Sequence, residues 1–205
     1  DYGIFYEFIP FNGYNEDSSK IIPLSEVKLN TNYAMVITTN AGLWRYKIGD
    51  TIRFTSLSPY RIQVTGRTKH FINVFGEELI IDNAEKALEK VCSQTKSNVF
   101  NYTAGPIYME KNKQGAHEWI IEFDREPEDL SLFCRLFDEA LQNENSDYEA
   151  KRYNNMTLKP LRLHKAQKGL FYRWLSQKGK LGGQHKVPRL SNSREILDEL
   201  LKMNY

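Results

Sequence analysis

The chain has 205 residues, enough for one large domain or two small ones, and its 40% hydrophobic and 13% aromatic content is ample for a packed core. No apolar run approaches the roughly 18–20 residues that span a bilayer, and residues 1–11 lack the basic n-region and small-residue cleavage site of a signal peptide. The formal net charge is only +2, but residues 150–194 hold 12 Lys or Arg and no Asp or Glu, whereas residues 1–149 carry 15 basic and 23 acidic residues; the basic stretch is either a solvated face or a surface that meets an anion, such as a nucleotide, a nucleic acid or an acidic partner.

The first third reads as β. Strands are expected over residues 4–9, 33–38, 51–56 and 60–65, each short, rich in aromatic and β-branched residues, and bounded by turn formers such as Asn40-Ala41-Gly42 and Ser58-Pro59. The opening at Asp1, inside a strand pattern and without Met, is expected of a fragment or a processed product. Gly49-Asp50 precedes a strand, where Asp50 either caps a turn or accepts hydrogen bonds from two adjacent hydroxyls such as those of a ribose.

The character changes after Gly66, so the predicted division is a β-rich unit over 1–68 and an α+β unit over 69–205, with helices against a small sheet. Residues 71–75 and 79–81 flank Gly76-Glu77-Glu78 as a hairpin, whose two glutamates read as a solvent-facing turn. Ala84, Ala87, Leu88, Val91 and Cys92 fall at helical spacing from about Asp82. Residues 98–105 and 118–123 read as strands. Pro127 with Glu128 and Asp129 opens a second helix, with the Pro in its first turn and the acids at the positive end; Leu130, Phe133, Cys134, Phe137, Ala140 and Leu141 mark its buried face. Residues 158–163 read as a strand and 168–177 as a short helix with Leu170, Phe171, Trp174 and Leu175 packed. Asn192 and Glu195 form a predicted capping box for a last helix, whose apolar face is Ile196, Leu197, Leu200 and Leu201. Cys92 and Cys134 are the only cysteines, and both sit at apolar helical positions, so two buried free thiols in a reducing compartment, the cytoplasm, are expected.

Two further segments offer chemistry. In Gly66-Arg67-Thr68-Lys69-His70, Arg67 carries a planar fork of donors suited to phosphate or a ribose oxygen, while Lys69 and His70 lie at the expected domain boundary. In Gly179-Lys180-Leu181-Gly182-Gly183-Gln184-His185-Lys186-Val187-Pro188-Arg189, glycines beside a lysine make either a flexible basic linker or a loop that moves a positive charge; the phosphate-loop spacing G-x-x-x-x-G-K-[ST] is absent.

Each motif is weak alone, but their order resembles the adenylate-forming superfamily, and most closely the Gretchen Hagen 3 (auxin-responsive) acyl-acid amido synthetases. Phe5-Tyr6-Glu7-Phe8-Ile9-Pro10, Leu43-Trp44-Arg45-Tyr46-Lys47-Ile48-Gly49-Asp50 and Gly183-Gln184-His185-Lys186-Val187-Pro188-Arg189 carry the likeness, the middle segment most specifically. The resemblance covers essentially the whole chain but only the later part of a family member. It implies an α+β fold: the β-rich end of an adenylate-forming large domain, then a small mobile lid domain. It implies a ligase that adenylates a carboxylic acid with ATP and passes the acyl group to an amine, an amino acid by preference. Asp50 is then expected to hold the ribose hydroxyls, with Arg67 close by, Tyr6 and Glu7 lining the adenylate pocket, Lys69 at the hinge, and Lys186 reaching the α-phosphate and the reacting carboxylate. ATP and Mg²⁺ are implied, both bound mainly by phosphate-loop segments expected before Asp1; the resemblance implies no metal ligand among the residues of this chain. The Gly-Arg-Thr-Lys run departs from the double-Arg, Lys, Asn pattern of plant members, which implies a bacterial-type branch. The alternative is a nucleic-acid-binding or protein-interaction module using the basic stretch, with Tyr153, Phe171, Tyr172 and Trp174 stacking on bases.

Overall fold

The computed structural model describes residues 3–11, 20–67, 71–109, 114–155, 157–180 and 186–205, with Arg67 and Asn155 described by backbone only. It divides into two compact units, Asp1–Phe71 and Ile72–Tyr205.

The first unit is a five-stranded sheet built from β1 (Ile4–Pro10), β2 (Ile22–Pro23), β3 (Asn32–Thr39), β4 (Tyr46–Leu57) and β5 (Tyr60–Arg67), in the order β2-β1-β3-β4-β5. Every neighbouring pair is antiparallel. Alternation turns Phe8, Tyr33, Ile52 and Phe54 to one buried face with Val27. Phe8 and Phe54 meet edge to face, ring centres 5.2 Å apart, with Tyr33 6.0 Å from both, the geometry that aromatic quadrupoles favour.

β4 begins five residues earlier than the sequence predicts, because Gly49-Asp50 is not a turn. The pairing steps from Ala34↔Thr51 to Val36↔Lys47, so a step of two residues along β3 is matched by a step of four along β4. That is a bulge at Ile48, Gly49 and Asp50, and Gly49 takes its φ of 87°, a conformation that L side chains resist.

The second unit is a sheet clothed on both faces. Its strands are β8 (Asn98–Ile107), β9 (Ala116–Arg125) and β10 (Arg162–Lys165), ordered β10-β9-β8, with β9 antiparallel to β8 and parallel to β10. Every residue of β9 up to Phe123 is buried, as expected of a central strand covered on both sides. Trp119, Ile121 and Phe123 pack on α1 (Ile81–Thr95) and α2 (Leu130–Glu144) through Ala84, Leu88, Val91, Phe133, Phe137 and Leu141. Ile120 faces the other way, onto α4 (Leu170–Gln177) and α5 (Glu195–Asn204) through Leu170, Phe171, Trp174, Leu197 and Leu200. A two-stranded ribbon, β6 (Phe71–Ile72) with β7 (Leu79–Ile80), leads into α1.

Several local expectations need correction. The second helix starts at Leu130, with Pro127 outside it; Asp129 is the N-cap, accepting from Ser131 N at 2.8 Å and Leu132 N at 3.0 Å. Asn192 and Glu195 make no capping box: Asn192 Oδ1 accepts from Asn73 N at 2.7 Å, and the α5 N-cap is Arg194 with no side-chain cap. The strand expected over 158–163 is β10, set later at Arg162–Lys165, while Leu158 makes an isolated bridge to Gly115. A helix that periodicity missed, α3 (Ser146–Arg152), follows α2, capped by Asn145 Oδ1 accepting from Tyr148 N at 2.7 Å. Cys92 and Cys134 are free but only half-buried. Glu77 is fully buried rather than solvent-facing: its Oε1 lies 2.8 Å from His117 Nε2, and its Oε2 accepts from Phe75 N at 2.7 Å.

Candidate functional site

The first unit brings several predicted residues into one band across the sheet. Glu7 on β1 pairs with Val36 on β3, and Val36 with Lys47 on β4. The bulge after Lys47 ends at Asp50, whose partner across to β5 is Arg67. Asp50 is half-buried. The register thus sets the two residues expected at the ribose opposite one another at the end of the β4–β5 ladder; the Arg67 side chain lies outside the described residues.

A buried polar knot underlies this end of the sheet. The Thr65 hydroxyl lies 2.5 Å from Asn32 Oδ1 and 3.0 Å from the Thr51 hydroxyl. Thr51 and Thr65 are 1% and 3% exposed, so leaving one of them unpaired is costly. Thr51 directly follows Asp50 and pairs with Gly66, which directly precedes Arg67, and a second register shift falls between Thr51 and Ile52. The knot therefore fixes both strands next to the candidate pair, on its Thr51–Gly66 side.

Tyr6 and Glu7 have different settings. Tyr6 is exposed and pairs with Ile37, which in turn pairs with Tyr46. Glu7 is held by a two-pronged ion pair from Arg45, Nε to Oε2 at 3.0 Å and Nη2 to Oε1 at 2.8 Å. The hydrogen bonds from Arg45 lower the Glu7 carboxyl below its ordinary range, against a small opposing effect of burial. Arg45 itself has a φ of 43°, and its N–H bonds Thr38 Oγ1 at 3.0 Å. In the sequence Arg45 is a motif member without a role of its own; its partner Glu7 lies 38 residues away, so no local pattern marks the pair.

In the second unit, Lys186 is exposed. The glycines expected to mobilise it, Gly182 and Gly183, lie outside the described residues, as do the hinge candidates Lys69 and His70. The segment on the C-terminal side of Lys186 is fixed. Val187 and Leu190 are buried, Thr103 Oγ1 donates to Pro188 O at 2.6 Å, Ala104 N donates to Arg189 O at 2.9 Å, and Ser191 N returns to Ala104 O at 3.1 Å. Residues 187–191 thus run along the free edge of β8, and Lys186 stands at the start of that anchored run.

The basic stretch is more neutralised than its sequence implies. Arg152 pairs with Asp138, Arg162 and Arg194 with Glu118, Lys165 with Glu126, Lys178 with Glu199 and Arg189 with Glu85. These acids come from elsewhere in the sequence, which the local charge count cannot see. Phe171 and Trp174 are core residues, so of the four aromatics offered for base stacking only Tyr153 and Tyr172 are exposed. Glu118 is the busiest of these acids. Burial raises its carboxyl, but hydrogen bonds from His164 at 2.9 Å and from Arg194, whose ion pair spans 2.7 Å, outweigh burial and leave it below the ordinary range. Among the described residues no group of three or more His, Cys, Asp or Glu is arranged to hold a metal ion. No helix among them is long and apolar enough to cross a membrane.

Comparison with known proteins gives the frame for these residues. The profile of the GH3 family central domain matches residues 1–67, and that of the GH3 family C-terminal domain matches residues 82–195. The chain is 28% identical over 219 residues to the indole-3-acetic acid-amido synthetase GH3.10 of Arabidopsis thaliana, and 26% identical over 218 residues to the 4-substituted benzoates-glutamate ligase GH3.12 of the same plant. Both alignments cover 96% of this chain and 36% of the relative, so the chain spans about a third of their length. The fold matches that of the GH3.15 acyl acid amido synthetase with a TM-score of 0.72 at 21% identity, over 98% of this chain and 36% of that one. It also resembles 2-hydroxyisobutyryl-CoA ligase in a postadenylation state, with a TM-score of 0.52 at 14% identity, over 98% of this chain and 38% of that one. With one profile on each side of the change from β-rich to α+β structure, and the C-terminal profile alone matching more than half of the residues, the chain belongs to the GH3 family.

Proposed function

We propose that this chain forms the nucleotide-closing part of an ATP-dependent acyl-acid amido synthetase. The observation that carries the reading is the pairing of Asp50 with Arg67 beside a bulge, pinned by the Asn32–Thr65–Thr51 knot, in a chain whose relatives include named amido synthetases and a benzoates-glutamate ligase. In the proposed reaction a carboxylate attacks the α-phosphorus of ATP, giving an acyl-adenylate and pyrophosphate. An amine, proposed to be that of an amino acid, then attacks the acyl carbon, and AMP leaves.

The residues here suit parts of that task. The two oxygens of the Asp50 side chain suit two hydroxyl hydrogen bonds at once, as ribose binding requires. The first step brings two anions together, and a cation fixed near the α-phosphate stabilises the charge that builds there. Lys186, exposed and tethered on its C-terminal side, is proposed to supply it. Lys69 remains the proposed hinge about which the lid turns between the two steps, excluding water from the adenylate. The Mg²⁺ that this chemistry implies has no ligand set among the described residues. The free, half-buried thiols of Cys92 and Cys134 favour a reducing compartment, proposed to be the cytoplasm.

The test is acid-dependent pyrophosphate release by the full-length enzyme, with and without amino acids. Release that needs an acid, and amide formation that needs an added amino acid, are expected. Asp50→Ala is expected to raise KM for ATP about tenfold or more, as loss of hydrogen bonds to a charged acceptor implies. An unchanged KM removes Asp50 from the ribose.

A further inference from the structure

The second unit holds an anchor for Lys186 that the reaction scheme does not use. Arg189 lies three residues after the lysine. Its guanidinium carbon sits 5.2 Å from the centre of the Tyr102 ring, and its Nη1 bonds Glu85 Oε1. The Tyr102 hydroxyl donates to the same Glu85 oxygen at 2.7 Å. Tyr102 is 2% exposed, so its ring is a rigid platform held by the sheet, while Glu85 projects from α1. Burial first, then the Glu85 charge, keeps the Tyr102 hydroxyl protonated and therefore a donor. The three side chains close a triangle from α1 to β8 to the segment after Lys186. The backbone bonds at Ala104 and the Thr103–Pro188 bond lie directly beside it.

A basic residue this close to the proposed catalytic lysine invites a phosphate-binding role. The geometry argues otherwise: the Arg189 charge is already matched by Glu85, and its guanidinium lies over the Tyr102 ring. A lysine on a four-carbon stem reaches a reacting phosphate reproducibly only if its backbone is held, and a misplacement on the order of 1 Å costs up to about 10²-fold in rate.

We infer that Arg189, with Glu85 and Tyr102, is a positioning residue that fixes the backbone carrying Lys186 for the adenylation step. This rests on the proposed function above. The test is a double-mutant cycle in the full-length enzyme, read by acid-dependent exchange of pyrophosphate into ATP, with amide hydrogen exchange as a second readout. Arg189→Ala is expected to lower the maximal exchange rate about tenfold, with KM for ATP changed less than twofold. In a Lys186→Ala background the same substitution is expected to change the rate less than twofold, because the group it positions is gone. The Ala104 and Ser191 amides are expected to exchange faster in Arg189→Ala, while those of β9 do not. Should Arg189→Ala not fold, Glu85→Gln removes the charge at the exposed corner of the triangle and is expected to give the same pattern at smaller size. An equal loss in both backgrounds overturns the inference, as does no loss in either, or unchanged exchange at Ala104 and Ser191. If Lys186→Ala alone is harmless, the catalytic role of Lys186 is what fails, and that result is distinct from any of these.

Discussion

Asp138→Ala is the sharpest test of how the second unit is held together. Asp138 sits on the buried face of α2 and serves as acceptor to four neighbours. Its Oδ1 takes the Tyr148 hydroxyl at 2.7 Å, Leu161 N at 3.2 Å and Arg152 Nε at 3.1 Å; its Oδ2 takes Arg152 Nη2 at 2.7 Å and Gln142 Nε2 at 3.0 Å. The Arg152 and Asp138 side chains are 7% and 8% exposed. Burial disfavours the Arg152 charge, but the Asp138 hydrogen bonds more than offset this and leave its pKa raised. Removing the carboxylate takes the Asp138 anion from the buried guanidinium, which keeps the neutral Leu158 carbonyl at 2.9 Å, and takes the acceptor of the buried Tyr148 hydroxyl. Breaking such a pair from one side costs about 3–5 kcal/mol, or roughly 10–20 °C in Tm for a unit of this size. Urea titration followed by tryptophan fluorescence suits the measurement, because Trp119 and Trp174 lie in the two apolar clusters of this unit, one on each face of its sheet. Adding Arg152→Met to Asp138→Ala is expected to recover part of the loss, since the stranded charge goes with it. A single variant that costs below about 1 kcal/mol, or a double variant whose losses simply add, refutes the view of this pair as a buried, mutually dependent unit.

Two other outcomes rest on particular contacts. Asp129→Ala is expected to destabilise the second unit by about 1 kcal/mol, because its side chain caps both Ser131 N and Leu132 N; Asp129→Ser, checked in the same urea titration, is expected to restore most of it. Glu118 has a depressed carboxyl, so it contributes stability above the ordinary value of 4.5 and loses it as pH falls through the lower folded value. Melting curves below pH 4.5 are therefore expected to fall more steeply for the native chain than for Glu118→Gln, and parallel curves contradict the assignment.

The elements built from long apolar periods were legible in the sequence. Ala84, Ala87, Leu88 and Val91 predict the buried stripe of α1, and Phe133, Phe137 and Leu141 that of α2, because a core-facing helix repeats its apolar residues at three and four. The features that escaped depend on partners distant in sequence. Gly49-Asp50 reads as a turn because the extra residues of a bulge are defined only by the opposing strand. Glu77 and Glu78 look alike in sequence, yet Glu77 is buried because His117 arrives from 40 residues away. α3 has too few apolar residues for a period; its usable signals were the Asn145 cap, Asp147 and Glu149 in the first turn, and Lys151 and Arg152 in the last. The candidate site reads in the sequence as a set of motifs. Its supports do not, since the Thr65 knot, the Arg45–Glu7 pair and the Arg189 triangle each join residues from different elements.

The central claim is that the tail of this chain delivers a cation to the phosphate of a nucleotide whose ribose is held by the β-rich unit. Pyrophosphate–ATP exchange in the full-length enzyme, comparing the native residue with Lys186→Ala at saturating ATP and acid, addresses it most directly. A loss of roughly 10²–10³-fold is expected, the range found when one preorganised donor is removed from a developing charge; a change smaller than threefold contradicts the claim.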